Sequence, residues 1–251
     1  MTSERSDGSV QAESESPKKL LPLWQETILL LAVALGLAIL IKALLVQAFY
    51  IPSESMEPGL VNNDRILVEK VSYWFGGTPQ RGDVVVFKDP GGWLSGSEAV
   101  GTPNAVTGLM AKIGLYPSGG HLVKRVIGVA GDTIHCCDPE GRIVVNSVPL
   151  DEQGYAREDG QPCYGPMIST CDWTAGPVPE GSIFVMGDNR AHSADSTVHM
   201  CQPTETDCVP GDEYVPVDLV VGKVFVLLWP RSHFGWLHRP DTFADVHDTA
   251  P

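Results

Sequence analysis

From Thr27 to Phe49 the chain is apolar at nearly every position, with Lys42 as its one charge. At 1.5 Å rise per residue these 23 positions reach roughly 34 Å, enough for a hydrocarbon core about 30 Å thick, and they predict one transmembrane helix over residues 27–49. Lys42 lies near the distal end, where its four-carbon stem lifts the ammonium toward headgroups. The run is long for the apolar core of a cleavable leader, and no clean small-x-small cleavage pattern follows it, so it reads as an anchor. Beyond residue 50 the pattern changes to short runs rich in Val, Ile and Leu, separated by Gly, Pro and Asp turns: Ile66 to Val71, Asp83 to Phe87, Leu122 to Val129, Ile143 to Val145, Ser182 to Met186 and Val221 to Leu228. These predict strands and a mainly β domain without a long amphipathic helix. Residues 91–120 are rich in Gly and Pro, carry only a weak helical patch at Leu109 to Ile113, and read as a surface insertion. No internal repeat is present.

Composition adds an address more than a chemistry. Residues 1–26 are Ser, Glu, Asp and Lys with little apolar content and predict a disordered tail. Lys18 and Lys19 favour a cytoplasmic tail, yet Arg65 and Lys70 lie at a comparable distance beyond the span, so basic residues alone barely orient the helix. The six cysteines, Cys136, Cys137, Cys163, Cys171, Cys201 and Cys208, all fall in the long second part. Spacings such as Cys163 to Cys171 and Cys201 to Cys208 suit small disulfide loops in an oxidising compartment, which places that part outside the cytoplasm. Adjacent Cys136 and Cys137 do not pair easily with each other without backbone strain, and partners at Cys163 or Cys171 stay open. His135 beside them gives a spacing unlike structural zinc sites, so no metal and no cofactor are expected. A net charge of -14 disfavours nucleic acid.

Directly after the apolar run stands Ile51-Pro-Ser-Glu-Ser-Met56. Hydroxyls at i and i+2 of a turn can divide labour, one as nucleophile and one beside developing negative charge, although such serines are also ordinary turn residues. A nucleophile needs a base, and none of the seven histidines has a supporting arrangement. Lys124 does: alternation in Leu122-Val-Lys-Arg-Val-Ile127 points it to the same face as Leu122 and Val126, where loss of solvation favours the neutral amine. The alternative is a solvated lysine on the outer face of an amphipathic strand.

Four segments together, Ile51 to Pro58, Arg81 to Phe87, Lys124 to Asp132 and Gly187 to Ser196, resemble the ordered boxes of bacterial type I signal peptidases, the membrane-anchored Ser/Lys endopeptidases, and in their insertions the actinobacterial-like members. The resemblance implies a signal peptidase I-like catalytic β domain at 50–230, with a cysteine-bearing lobe at about 133–180, a preceding helix and a C-terminal tail at 231–251. It implies Ser55 as nucleophile, Lys124 as general base, Ser53 in the oxyanion hole, Ser193 orienting the lysine, and Asp195 stabilising the site through Arg190 or Arg125. Ile51, Pro52, Met56, Leu60, Leu122 and Val123 match positions around pockets for small side chains. The substrates implied are signal-peptide-bearing preproteins from the export machinery, met at the lipid bilayer by a monomer. Gly59, Ala191 and Thr197 depart from the family pattern, and Thr197 in place of a frequent arginine removes one salt bridge around Asp195. Two other readings stay open: a noncatalytic anchored β module for surface assembly, and a specialised processing peptidase. A Ser-x-x-Lys acyltransferase is disfavoured, because Met-Glu-Pro follows Ser55.

Overall fold

The computed structural model describes residues 22–74, 76–94, 120–157, 172–201, 205–206 and 208–248, with the side chains of 40, 42 and 43 outside that description. The helical patch expected at Leu109 to Ile113, the interior of the 91–120 insertion, Cys163, Cys171 and almost all of the 1–26 tail lie outside these residues.

One helix, α1, spans Leu23–Leu44, and its described large side chains, among them Leu30, Leu31, Val33, Leu35, Leu37 and Ile39, are exposed. Among the described residues, no helix is long and apolar enough to cross a membrane. The helix ends five residues earlier than the apolar run predicts. Val46–Tyr50 forms strand β1, paired antiparallel with β2 (Arg65–Glu69) from Val46 opposite Glu69 to Tyr50 opposite Arg65. Hydropathy cannot separate the two states here, since Phe49 is as apolar in a strand core as in a helix; the neighbouring strand decides by taking up the backbone hydrogen bonds.

The remaining strands are β3 (Val84–Lys88), β4 (His121–Val129), β5 (Ile134–Cys136), β6 (Ile143–Val145), β7 (Val148–Pro149), β8 (Trp173–Ala175), β9 (Ser182–Met186), β10 (Val215–Pro216), β11 (Val220–Trp229) and β12 (Gly235–Trp236). Among the described residues they make two sheets: one ordered β1-β2-β11-β3-β4-β9-β10 with β12 on β11, and a smaller one ordered β7-β6-β5-β8. The mainly β, two-sheet architecture agrees with the sequence reading, and the six β-branched runs each overlap a strand. Phe49, Ile51, Met56, Leu60, Ile66, Val68, Val84, Val86, Val224 and Leu227 form one buried cluster, and Leu122 and Val126 join Val85, Phe87, Ile183 and Val185 in another. A third joins Ile134, Val145 and Trp173 of the smaller sheet to Phe184 and Met186 of β9. Residues after β11 do not trail away: Phe243 and Val246 are buried in that third cluster, and Arg239 pairs with Asp83 at 2.6 Å.

The cysteines correct one expectation. Cys136 and Cys137 are joined to each other, with a cis peptide bond between them. Cys201 and Cys208 close the small loop that their spacing suggests, with Cα atoms 5.4 Å apart.

Candidate active site

Strand β4 frames the site because it presents neighbouring residues to opposite sides. Lys124 lies opposite Val85 of β3 and shares its face with Leu122 and Val126, and Arg125 lies opposite Met186, the last residue of β9. The chain leaving β9, Gly187-Asp-Asn-Arg190, therefore passes beside Lys124. The serine-bearing turn arrives from β1, whose Phe49 ring sits 5.3 Å from the ring of His121 at the start of β4.

There the groups meet. Lys124 Nζ donates to Ser55 Oγ at 2.7 Å, with Lys124 4% and Ser55 6% exposed. Ser53 Oγ lies 3.2 Å from Ser55 Oγ, and either hydroxyl can be the donor. Ser193, fully buried, donates to Asp195 Oδ2 at 2.6 Å. That carboxylate also accepts from Gly187 N at 2.8 Å and, through Oδ1, from Thr197 N at 3.1 Å and Thr197 Oγ1 at 2.7 Å. Four donors converge on one buried carboxylate. Thr197 thus fills part of the place that an arginine was expected to hold.

The two arginines named for Asp195 pair elsewhere. Arg125 makes a two-pronged pair with Asp188, at 2.8 and 2.6 Å, and lies 4.5 Å over the Tyr155 ring. Burial works against its charge, but Asp188 raises its pKa above the ordinary value, so the guanidinium stays charged. Arg190 pairs with Glu152 at 2.6 Å, and the Tyr155 hydroxyl donates to the same Glu152 carboxylate at 2.9 Å. Burial, then Glu152, pushes the Tyr155 phenol far up, which keeps it a neutral donor. Sequence reasoning missed Glu152 and Tyr155, whose contacts cross 38 and 30 residues to reach Arg190 and Arg125 and leave no local pattern.

Of the pocket positions, Ile51, Met56 and Leu60 are buried in the cluster beneath the serine turn, with Val123 packed against it, while Leu122 belongs to a different cluster and Pro52 is exposed. Among the described residues, no group of three or more His, Cys, Asp or Glu side chains is arranged to hold a metal ion. A cleft of about 670 Å³, lined by Arg81, Val129, Glu180, Ile183, Arg239 and Phe243 among others, includes none of Ser55, Lys124 and Ser193.

Comparison with known proteins follows the same residues. The family described as signal peptidase, peptidase S26, matches residues 24–229. A probable signal peptidase I of Mycobacterium leprae is 37% identical over 245 residues, covering 87% of this chain and 80% of that protein. Signal peptidase I of Mycobacterium tuberculosis is 36% identical over 245 residues, covering 93% of this chain and 81% of the relative. Signal peptidase I of Leptolyngbya laminosa is 34% identical, with 93% of each chain covered.

Proposed function

Because this chain belongs to the signal peptidase family, peptidase S26, we propose that it is a membrane-bound serine endopeptidase that removes N-terminal signal peptides from exported preproteins after Ala-x-Ala-like sites. Hydrolysis of the signal-peptidase-I type follows from membership. The observation that supports the residue roles is the 2.7 Å contact between Lys124 Nζ and Ser55 Oγ, both buried. A noncatalytic module would have no use for a desolvated lysine held against a serine.

In this reading, neutral Lys124 takes the Ser55 hydroxyl proton as Oγ attacks the carbonyl of the small residue at the cleavage site. The oxyanion that forms is received by the Ser55 N–H and the Ser53 hydroxyl. The lysine returns its proton to the leaving amine, which departs as the new N-terminus of the mature protein. The signal peptide is left as an ester on Ser55, and a water deprotonated by the same lysine hydrolyses it. Ser193 commits its proton to Asp195, so its lone pairs are free to accept from the lysine and hold its orientation. Ile51, Met56, Leu60 and Val123 shape the surface that admits small side chains.

The anchor belongs to the same proposal. The 22 residues of α1 give about 33 Å of helix, and exposed apolar side chains on that length call for a lipid solvent. The Cys201–Cys208 disulfide fits a catalytic body outside the cytoplasm. The test is cleavage of an Ala-x-Ala precursor by the detergent-solubilised chain. The parent should cut after the second small residue, and Ser55→Ala and Lys124→Ala should not. A well-folded parent that leaves the precursor intact in lipid, or a Lys124→Ala variant at the parent rate, would overturn the Ser/Lys assignment.

A further inference from the structure

We infer that Asn189 is the positioning residue for the peptide that binds the oxyanion, an inference that rests on the serine-peptidase reading. The N–H assigned to the oxyanion belongs to the peptide between Glu54 and Ser55. In a planar trans peptide the carbonyl and the N–H point in opposite directions, so whatever holds the Glu54 carbonyl aims the Ser55 N–H. Two donors hold it: Glu57 N–H at 3.0 Å, which closes the local turn, and Asn189 Nδ2 at 3.1 Å, which arrives from a segment 135 residues away. The backbone N–H of the same Asn189 donates to Ser55 O at 3.0 Å. One residue therefore grips the peptide on each side of the nucleophile's Cα, and fixing both planes fixes φ and ψ of Ser55.

Three further observations point the same way. Asn189 is 0% exposed, so water does not compete for these bonds. Its Oδ1 is buried with no hydrogen-bond partner among the described residues, so the carboxamide is tolerated for what its NH₂ does. Among the described residues none accepts from the Ser55 N–H, which leaves it open to a ligand oxygen. Two donors on one carbonyl also polarise the amide and make that N–H a stronger donor. Asn189 is itself anchored to the frame of the base: neighbouring Asp188 pairs with Arg125, next to Lys124 on β4, and its carbonyl accepts from Arg157 N at 2.8 Å.

The test uses the full chain in detergent with an Ala-x-Ala peptide and the peptide aldehyde of the same acyl sequence, whose hemiacetal with Ser55 puts an oxyanion in the same place. Asn189→Ala should lower kcat by about 10- to 100-fold with KM nearly unchanged, because the oxyanion exists only in the transition state. Aldehyde inhibition should weaken by a similar factor. In a Ser53→Ala background the same substitution should cost much less than in the parent, since both groups serve one oxyanion. Asn189→Asp, equal in size but turning an acceptor toward Glu54 O, should fall at least as far, and it stands in if the alanine variant does not fold. Parent-like kcat, undiminished aldehyde inhibition, or full additivity with Ser53→Ala would overturn the positioning role while leaving the peptidase standing. A parent that neither cleaves the peptide nor binds the aldehyde through Ser55 would remove the peptidase reading and this role with it.

Discussion

At the scale of single residues, the site depends on an atom that position 187 lacks. A Cβ built on Gly187 falls inside contact distance of Ser193 Oγ and lies 2.5 Å from Ser55 O, so this glycine is required for space. Gly187→Ala should cost about 10²-fold or more in kcat, because it moves a positioning serine or the nucleophile's own peptide. Steady-state cleavage of an Ala-x-Ala peptide checks it, and a parent-like rate would mean that the loop gives way freely. A different residue carries a pH effect. The His199 ring stacks on Trp93 with centroids 4.3 Å apart, and its Nε2 is buried with no hydrogen-bond partner among the described residues. Burial lowers its pKa from the ordinary 6.5, with Asp195, Asp212 and Asp89 pulling the other way. Below that ordinary value the unfolded chain binds more protons than the folded one, so the contribution is complete above about pH 6.5 and is lost as pH falls through the folded value. Urea unfolding at pH 7.5 and 5.5 should show a smaller drop for His199→Phe than for the parent; equal drops would assign the pH dependence to other groups.

At the scale of elements, β4 and the segment after β7 divide the work. Lys124 and Arg125 are neighbours that alternation sends to opposite faces, one to Ser55 and the other to Asp188. Glu152 and Tyr155, which follow the smaller sheet's β7, hold Arg190 in the turn after β9, so the smaller sheet braces the segment leading to Ser193. The Arg190 and Glu152 side chains are 8% and 6% exposed, and removing one partner leaves a buried charge. Glu152→Ala should therefore destabilise the fold by about 3–5 kcal/mol, read from urea midpoints. A loss below about 1 kcal/mol would place the pair in the range of solvent-screened surface bridges.

At the scale of the whole molecule the chain divides into two compact units, Met1–Ile39 and Leu40–Pro251. The second holds every group assigned to the chemistry and the first most of the proposed anchor. A chain lacking residues 1–44 should cleave a short soluble peptide within a few-fold of the parent rate, while its sedimentation with lipid vesicles should fall sharply. Any binding that remains would fall to the exposed aromatic side chains Trp229, Phe234 and Trp236. A truncated chain that folds yet loses peptide cleavage would show that the helix has a role beyond attachment.

Strands β2, β3, β4, β6, β9 and β11 were legible in the sequence because a β-branched run between turn residues is a local signal, and each side chain's face follows from counting. The serine turn, Lys124 and the Gly187 segment were legible too, as motifs, and so was the short loop closed by Cys201 and Cys208. The end of α1 was not, because an apolar run has the same hydropathy whether it enters a bilayer or a sheet, and only pairing with β2 turns Val46–Tyr50 into a strand. Nor was the bond between Cys136 and Cys137, because six cysteines allow many pairings and sequence spacing does not choose among them. Arg190 with Glu152 and Asn189 with Glu54 join residues 38 and 135 positions apart. Such contacts arise when packed strands bring distant loops together, and a buried charge or amide takes the partner that the fold delivers. Sequence determined which groups were available for the chemistry; tertiary structure decided which of them hold the others still.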